Sequence, residues 1–350
     1  MVYLYGIEDR WRKLISEHFV TVITIVSLLD GHCCVNRIEE NDTLIISSHC
    51  TEIERKVIKR ELSWTKCVIF FENYAKAKFE LNKSQNCEFD KLFISESQWV
   101  DSLQIPVAKH CNLNCNRCYH FSNLACEEFY PFFEYKKDLV SFQKLNINVG
   151  EIRFLGGEPL LNKQILDYIE FARQLYPYSV FKIITNGLLV KTISELDWKR
   201  LVELNVTVSV SVYPPMSSKL ESLETYLKTV NVKHEIFRMG NHFEKVLLSK
   251  PNLNEKKTAD ECGKCIVIYR GNIGRCAAGM FINDFNSYFK MNYPENNFEH
   301  IGNFTSSFDL IRYLDQTVPL CRWCVGDEQV ESFSWSQSLN MTVDDYIIKN

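Results

Sequence analysis

Cys111, Cys115 and Cys118 fall within eight positions, in the stretch HCNLNCNRCYHFS, residues 110–122. Thiolates spaced C-x3-C-x2-C on one loop suit an iron–sulfur cluster, whose irons prefer soft sulfur ligands. A four-iron cluster has four corners, so three cysteines leave one iron open to a substrate or cofactor. A zinc ion completed by His110 or His120 satisfies the same spacing.

Two glycine-containing stretches follow. In FLGGEPLLN, residues 154–162, Gly156 and Gly157 permit close backbone approach to a ligand, and Glu158 can accept hydrogen bonds from an ammonium group. In ITNG, residues 184–187, Thr185 and Asn186 offer a hydroxyl and an amide to a ribose. Either stretch alone is also an ordinary turn. Tyr213, His234, Glu235 and Arg238 stand on or near later strands and are candidates to meet a substrate. Arg238 suits a phosphate or carboxylate, and His234 could be a general base. Toward the carboxyl end lie two C-x2-C pairs, Cys262 with Cys265 and Cys321 with Cys324, with Cys276 between them. Two such pairs describe a zinc ribbon, with Cys276 to spare. Cys33, Cys34, Cys50, Cys67, Cys87 and Cys126 lack ligand spacing and read as small buried hydrophobes.

These residues need a scaffold, and hydrophobic periodicity predicts one. From about residue 102, the strands SLQIPVA, EIRFLGG, SVFKIITNG, VTVSVSVY and HEIFRM alternate with helices around EYKKDLVSFQKL, KQILDYIEFARQLY, ISELDWKRLVEL and KLESLETYLKTV. Such alternation predicts a parallel sheet with functional loops at the carboxyl ends of its strands, where all three motifs fall. Five or six units make an incomplete barrel, since closure takes eight. The first hundred residues predict a smaller parallel unit from VYLYGI, VTVITIVSLL, DTLIISS and CVIFF, with helices at 10–19 and 52–62. Its first turn has only Gly6, so the G-x-G-x-x-G phosphate cradle is missing and a docking role is favoured. Residues 82–100 read as a linker. After Met239 the periodicity weakens, and residues 240–350 need a metal to form a core. The expected fold class is α/β: a small Rossmann-like domain over 1–98, a partial (β/α)6 barrel over 99–240 and a cysteine-rich auxiliary-cluster domain over 241–350.

The net charge of −4, with no run of Lys and Arg, excludes a nucleic-acid partner. The most apolar stretch, residues 20–29, is too short to span a bilayer and reads as a buried strand, so no membrane partner is expected. Acidic residues precede it and no small-residue cleavage site follows, unlike a signal peptide. The expectation is a cytoplasmic chain, where 14 cysteines point to metal or catalysis more than to disulfides.

Taken together, the three-cysteine loop, GGEP and TNG at successive strand ends resemble the radical S-adenosylmethionine superfamily over residues 102 to about 240. The resemblance implies a [4Fe-4S] cluster on Cys111, Cys115 and Cys118, with S-adenosylmethionine chelating the open iron. Gly156, Gly157 and Glu158 would hold its amino group, and Asn186 with Ser209 or Ser211 would lie near its ribose and carboxylate. The family usually has an aromatic residue before the third cysteine. Here Arg117 takes that place and Tyr119 follows, which alters stacking on the adenine. The implied activity is reductive cleavage to a 5′-deoxyadenosyl radical that removes a hydrogen from a substrate. A flavodoxin or ferredoxin would donate the electron. IVIYRGNIGRCAAG, with a cysteine before and a late C-x2-C after, resembles the shortened SPASM ("twitch") auxiliary domain. That implies a second [4Fe-4S] cluster on Cys276, Cys321, Cys324 and either Cys262 or Cys265, zinc being the alternative. An auxiliary cluster suits oxidation, because it can accept an electron from a substrate radical. CYHFS and CRWC followed by SFSWSQS resemble a subgroup linked to surface-polysaccharide pathways. That points to oxidation or rearrangement of a sugar or nucleotide-linked substrate. Peptide maturation and a zinc-stapled, non-catalytic binding protein are the alternatives.

Overall fold

The computed structural model describes residues 99–349, except 178, 240–242, 263–264, 296–297, 327–330 and 338–339, and, of the first 98 residues, only four strands. The chain divides into two compact units, Met1–Asp101 and Ser102–Asn350.

In the first unit, β1 (Val2–Tyr5), β2 (Val22–Ile25), β3 (Thr43–Ile46) and β4 (Cys67–Phe70) form a parallel sheet in the order β2-β1-β3-β4. Each lies in a run rich in β-branched or aromatic residues. The reversal of strand order beside β1 is that of doubly wound folds. The helices expected at 10–19 and 52–62 lie outside the described residues.

The second unit is built on a mixed, parallel-dominated sheet of eight strands in the order β14-β13-β12-β5-β6-β7-β8-β9. Five carry the site: β5 (Trp99–Ala108), β6 (Asn148–Gly156), β7 (Val180–Thr185), β8 (Val206–Val212) and β9 (Lys233–Arg238). The neighbours from β6 to β9 pair in parallel. β5 begins at Trp99, inside the stretch expected as a linker, and residues 82–98 of that stretch lie outside the described residues. Helices α1 (Phe132–Lys144), α2 (Ile165–Leu175), α3 (Glu195–Glu203) and α4 (Leu220–Thr229) alternate with these strands. In α1 the buried face is Tyr135, Asp138, Leu139 and Phe142, a 3.6-residue repeat. Ser194 caps α3 by accepting from the Asp197 N–H. Leu103, Ile105 and Val107 on β5 are fully buried, each worth about 2 kcal/mol.

The break expected at residue 241 does not separate a third unit. Strands β10 (Phe243–Glu244) and β11 (Leu247–Leu248) lead to the hairpin of β12 (Ile266–Tyr269) and β13 (Asn272–Arg275). β12 pairs with β5, placing Ile266 beside Leu103 and Val267 beside Gln104, and β14 (Glu299–His300) extends the edge. The physical reason is that β5 would otherwise expose an unpaired edge next to its buried apolar residues. At the end of the chain, β15 (Ser332–Phe333) returns to β10 and β16 (Ile347–Ile348) to β11. Among the described residues no helix is long and apolar enough to cross a membrane.

Candidate functional site

The three-cysteine loop leaves β5 and folds back under its neighbours. Gly157 N–H donates to the Ala108 carbonyl at 2.8 Å, and Glu158 N–H donates to that of His110 at 3.0 Å. This contact explains both glycines. A Cβ on Gly156 would come within 2.0 Å of the Ala108 oxygen, and one on Gly157 within 2.0 Å of the His110 oxygen. Gly156 also has φ +137°, a conformation that other residues rarely adopt. The glycines thus let the end of β6 press against the cysteine loop.

Glu158 joins that contact to β7. Its carboxylate accepts from Thr185 Oγ1 at 2.7 Å, Leu160 N at 3.1 Å and Asn186 N at 2.9 Å. The side chain is wholly buried, and burial raises its pKa to about 7 although all three hydrogen bonds lower it. It does not line the cavity described next. The sequence suggested an ammonium partner; in the structure its carboxylate ties the ends of β6 and β7 together.

A cavity of about 450 Å³ opens above the loop. Cys111, Cys115 and Cys118 line it with Tyr119, Gly156, Gly157, Asn186, Ser211 and Tyr213. Asn186 Nδ2 donates to Asn112 Oδ1 at 2.7 Å and approaches Cys111 Sγ at 3.7 Å. Burial pushes the Cys111 thiol up to about 12 and the Cys115 thiol up to about 11. Thiols so buried ionise beside a cation, which a cluster's iron supplies. Burial, then the three nearby thiols, raise the Tyr213 hydroxyl.

Register separates the remaining candidates. Lys182, Ser209 and Glu235 share one face of the sheet: Lys182 reaches Glu235 at 2.9 Å and Glu151 at 3.0 Å, and Ser209 Oγ donates to Glu235 at 3.4 Å. Farther along that parity Ile184, Ser211, Tyr213 and Met239 reach the cavity. Ser209 is buried below it. His234 and Arg238 have the opposite parity and are absent from the lining. His234 Nδ1 instead lies 3.0 Å from its neighbour, the Val232 carbonyl. The substrate-facing role that the sequence suggested for His234 and Arg238 therefore meets the two-residue period of β9, which turns them to the other side.

His120 was weighed in the sequence only as a zinc ligand. Its ring lines the cavity, burial lowers its pKa to about 4, and its Nε2 is buried without a hydrogen-bond partner. That orphaned nitrogen suits a polar occupant. His110 faces away, with Nδ1 accepting from Glu128 N at 3.2 Å. The Trp335 indole N–H donates to Cys115 Sγ at 3.1 Å, a contact over 220 residues that no local motif announces.

A second, smaller cavity gathers Cys262, Cys276, Cys321 and Cys324. Cys265 is not in its lining; it hydrogen-bonds Gln104 and lies near Arg153. Burial drives Cys276 up to about 11 and Cys324 to about 12. Tyr119 lines both cavities, its hydroxyl 4.0 Å from Cys276 Sγ, and the Cys276 thiolate is the chief cause of its raised pKa. All nine cysteines described at and beyond the loop are free. Among the described residues no group of three or more His, Cys, Asp or Glu side chains is gathered closely enough to hold a single metal ion.

Residues 105–229 match a family model described as a 4Fe-4S single cluster domain. The chain is 27% identical over 199 residues to 7,8-dihydro-6-hydroxymethylpterin dimethyltransferase of Methanocaldococcus jannaschii, covering 53% of this chain and 38% of that one. It is 26% identical over 175 residues to GTP 3′,8-cyclase of Sulfurimonas denitrificans, covering 48% and 53%. The chain thus spans about half the length of these curated relatives, or less. Among solved structures, BtrN in complex with AdoMet and 2-DOIA aligns with a TM-score of 0.44 at 17% identity, over 66% of this chain and 95% of that one. The three-cysteine loop and both glycine turns lie inside the stretch that matches this 4Fe-4S single cluster domain.

Proposed function

We propose that this chain is a radical S-adenosylmethionine enzyme whose strands β5–β9 form a partial barrel around the cavity. The observation that carries the reading is the shared lining: three free thiols, Gly156, Gly157, Asn186 and Ser211 face one space of about 450 Å³. When bound, a reduced [4Fe-4S] cluster and S-adenosylmethionine supply a 5′-deoxyadenosyl radical that takes a hydrogen atom from the substrate. Cys111, Cys115 and Cys118 hold the cluster. Asn186 and Ser211 orient the bound S-adenosylmethionine, Glu158 keeps Asn186 in place, and Tyr119 and Tyr213 exclude water with their rings. His120 Nε2 offers the unused hydrogen bond to an occupant. An external flavodoxin or ferredoxin provides the electron.

The substrate we propose is a small polar molecule of the sugar or nucleotide-linked class, undergoing oxidation or rearrangement. A cavity of this size shared with S-adenosylmethionine suits a small molecule. The names of the two curated relatives, a GTP cyclase and a pterin methyltransferase, favour a nucleotide-like ring system over a peptide. We further propose an auxiliary [4Fe-4S] cluster on Cys262, Cys276, Cys321 and Cys324, which share the second cavity. Anaerobic purification followed by iron and sulfide analysis tests both sites. The expectation is about eight irons per chain, falling to about four in a Cys111, Cys115, Cys118→Ala variant. One zinc per chain and little iron would overturn the reading.

A further inference from the structure

The segment SFSWSQ, residues 332–337, is held against the three-cysteine loop along its length. Its first end is strand β15, paired with β10. The Phe333 ring is close to two cations, with Arg117 at 4.4 Å and Lys245 at 4.9 Å from its centroid. Ser336 then meets Asn116 twice: its carbonyl accepts from Asn116 N at 2.9 Å and its hydroxyl from Asn116 Nδ2 at 3.0 Å. Gln337 completes an antiparallel bridge to Cys115. Farther along, Asn123 Nδ2 ties the Cys115 carbonyl, at 2.7 Å, to the Tyr346 hydroxyl, at 2.6 Å.

These fastenings fix a side chain that reaches the sulfur. The indole N–H of Trp335 lies 3.1 Å from Cys115 Sγ. Indole nitrogen only donates, so it lends partial positive charge to that sulfur and takes nothing back. Reduction adds a negative charge to a cluster, and hydrogen bonds to its sulfurs are among the factors that set its potential. A fixed donor favours the reduced form. We propose that Trp335 raises the reduction potential of the cluster on the three-cysteine loop by donating its indole N–H to the Cys115 sulfur. This rests on the reading that Cys111, Cys115 and Cys118 hold an iron–sulfur cluster.

The test is a redox titration of the anaerobic holoenzyme followed by electron paramagnetic resonance. The signal of this cluster is the one that changes when S-adenosylmethionine is added. Trp335→Phe keeps the ring and removes the donor; Trp335→His returns an N–H. At the ambient potential that half-reduces the wild type, Trp335→Phe is expected to lower the reduced-to-oxidised ratio about tenfold, or 59 mV for one electron. Trp335→His is expected to recover part of that shift, all three proteins carrying the same iron. An unchanged midpoint in Trp335→Phe at full iron would overturn the proposal. So would lost iron with an unchanged midpoint in the cluster that remains, which would make Trp335 a packing residue only. A wild type that takes up no iron would instead sink the parent reading, and this one with it.

Discussion

The two thiol groups of this molecule are assembled in opposite ways. Cys111, Cys115 and Cys118 come from one loop, and their cavity of about 450 Å³ also takes in the ends of β6, β7, β8 and β9. Cys262, Cys276, Cys321 and Cys324 come from three separate segments and share a smaller, mainly apolar cavity. A site built from one loop keeps room for a reactant, whereas one drawn from distant segments cross-links the chain. The first arrangement suits chemistry and the second suits electron storage or structure. Tyr119 and Val246 line both cavities.

The sharpest break in this comparison is at the thiols. Cys111→Ala is expected to abolish S-adenosylmethionine cleavage, read as 5′-deoxyadenosine formed under reducing conditions. Cys276→Ala is expected to leave that cleavage measurable while iron falls by about half. Equal loss in both variants would mean the two sites do not work as distinct centres. Next in size is Gly157→Ala. A methyl within 2.0 Å of the His110 oxygen must displace the loop, so iron on the three-cysteine site should be lost while iron on the other is kept. Retained iron at both would show that the loop yields at small cost.

A smaller effect concerns Glu158. Its folded pKa, about 7, lies above the ordinary carboxyl value of 4.5. Between those values the folded chain holds a proton that the unfolded chain has released. Stability from this group therefore falls as pH rises from about 4.5 to about 7. In cofactor-free protein, the urea midpoint of Glu158→Gln should decline less over that interval than the wild type's. Parallel curves would remove the carboxyl from the account. Within the second site, Cys262→Ala is expected to cost about four irons and Cys265→Ala none. The reverse would exchange their roles. Smallest is His234→Ala, on the far face of β9, expected to leave 5′-deoxyadenosine formation within about twofold of the wild type. A tenfold loss would bring that face into the site.

Much of the scaffold was legible because its signals are local. The strands β5–β9 and helices α1–α4 fall where period-two and 3.6-residue repeats put them, and the three motifs stand at strand ends as parallel sheets require. At three places residue type was visible in the sequence and direction was not. Glu158 suggested ammonium binding by its charge, yet it points inward to Thr185 and Asn186. His234 and Arg238 suggested substrate contact, yet Glu235 has the inward parity on β9. Gly156 and Gly157 suggested ligand approach; they line the cavity, and the nearest atoms their missing Cβ would meet are backbone at the end of β5 and the start of the cysteine loop.

By itself the sequence determined what depends on neighbours along the chain. That is the spacing of three thiols in eight residues, the alternation of strands and helices, and the glycines at the ends of β6 and β7. Only the tertiary structure decided which residues from remote segments share a space. Cys262 and Cys265 are three positions apart, yet one enters the second cavity and the other meets Gln104 on β5. Trp335 reaches Cys115 from 220 positions away. Nothing in local spacing encodes such pairings, because they are set by strand register and by the burial of apolar faces, which act on the whole unit at once.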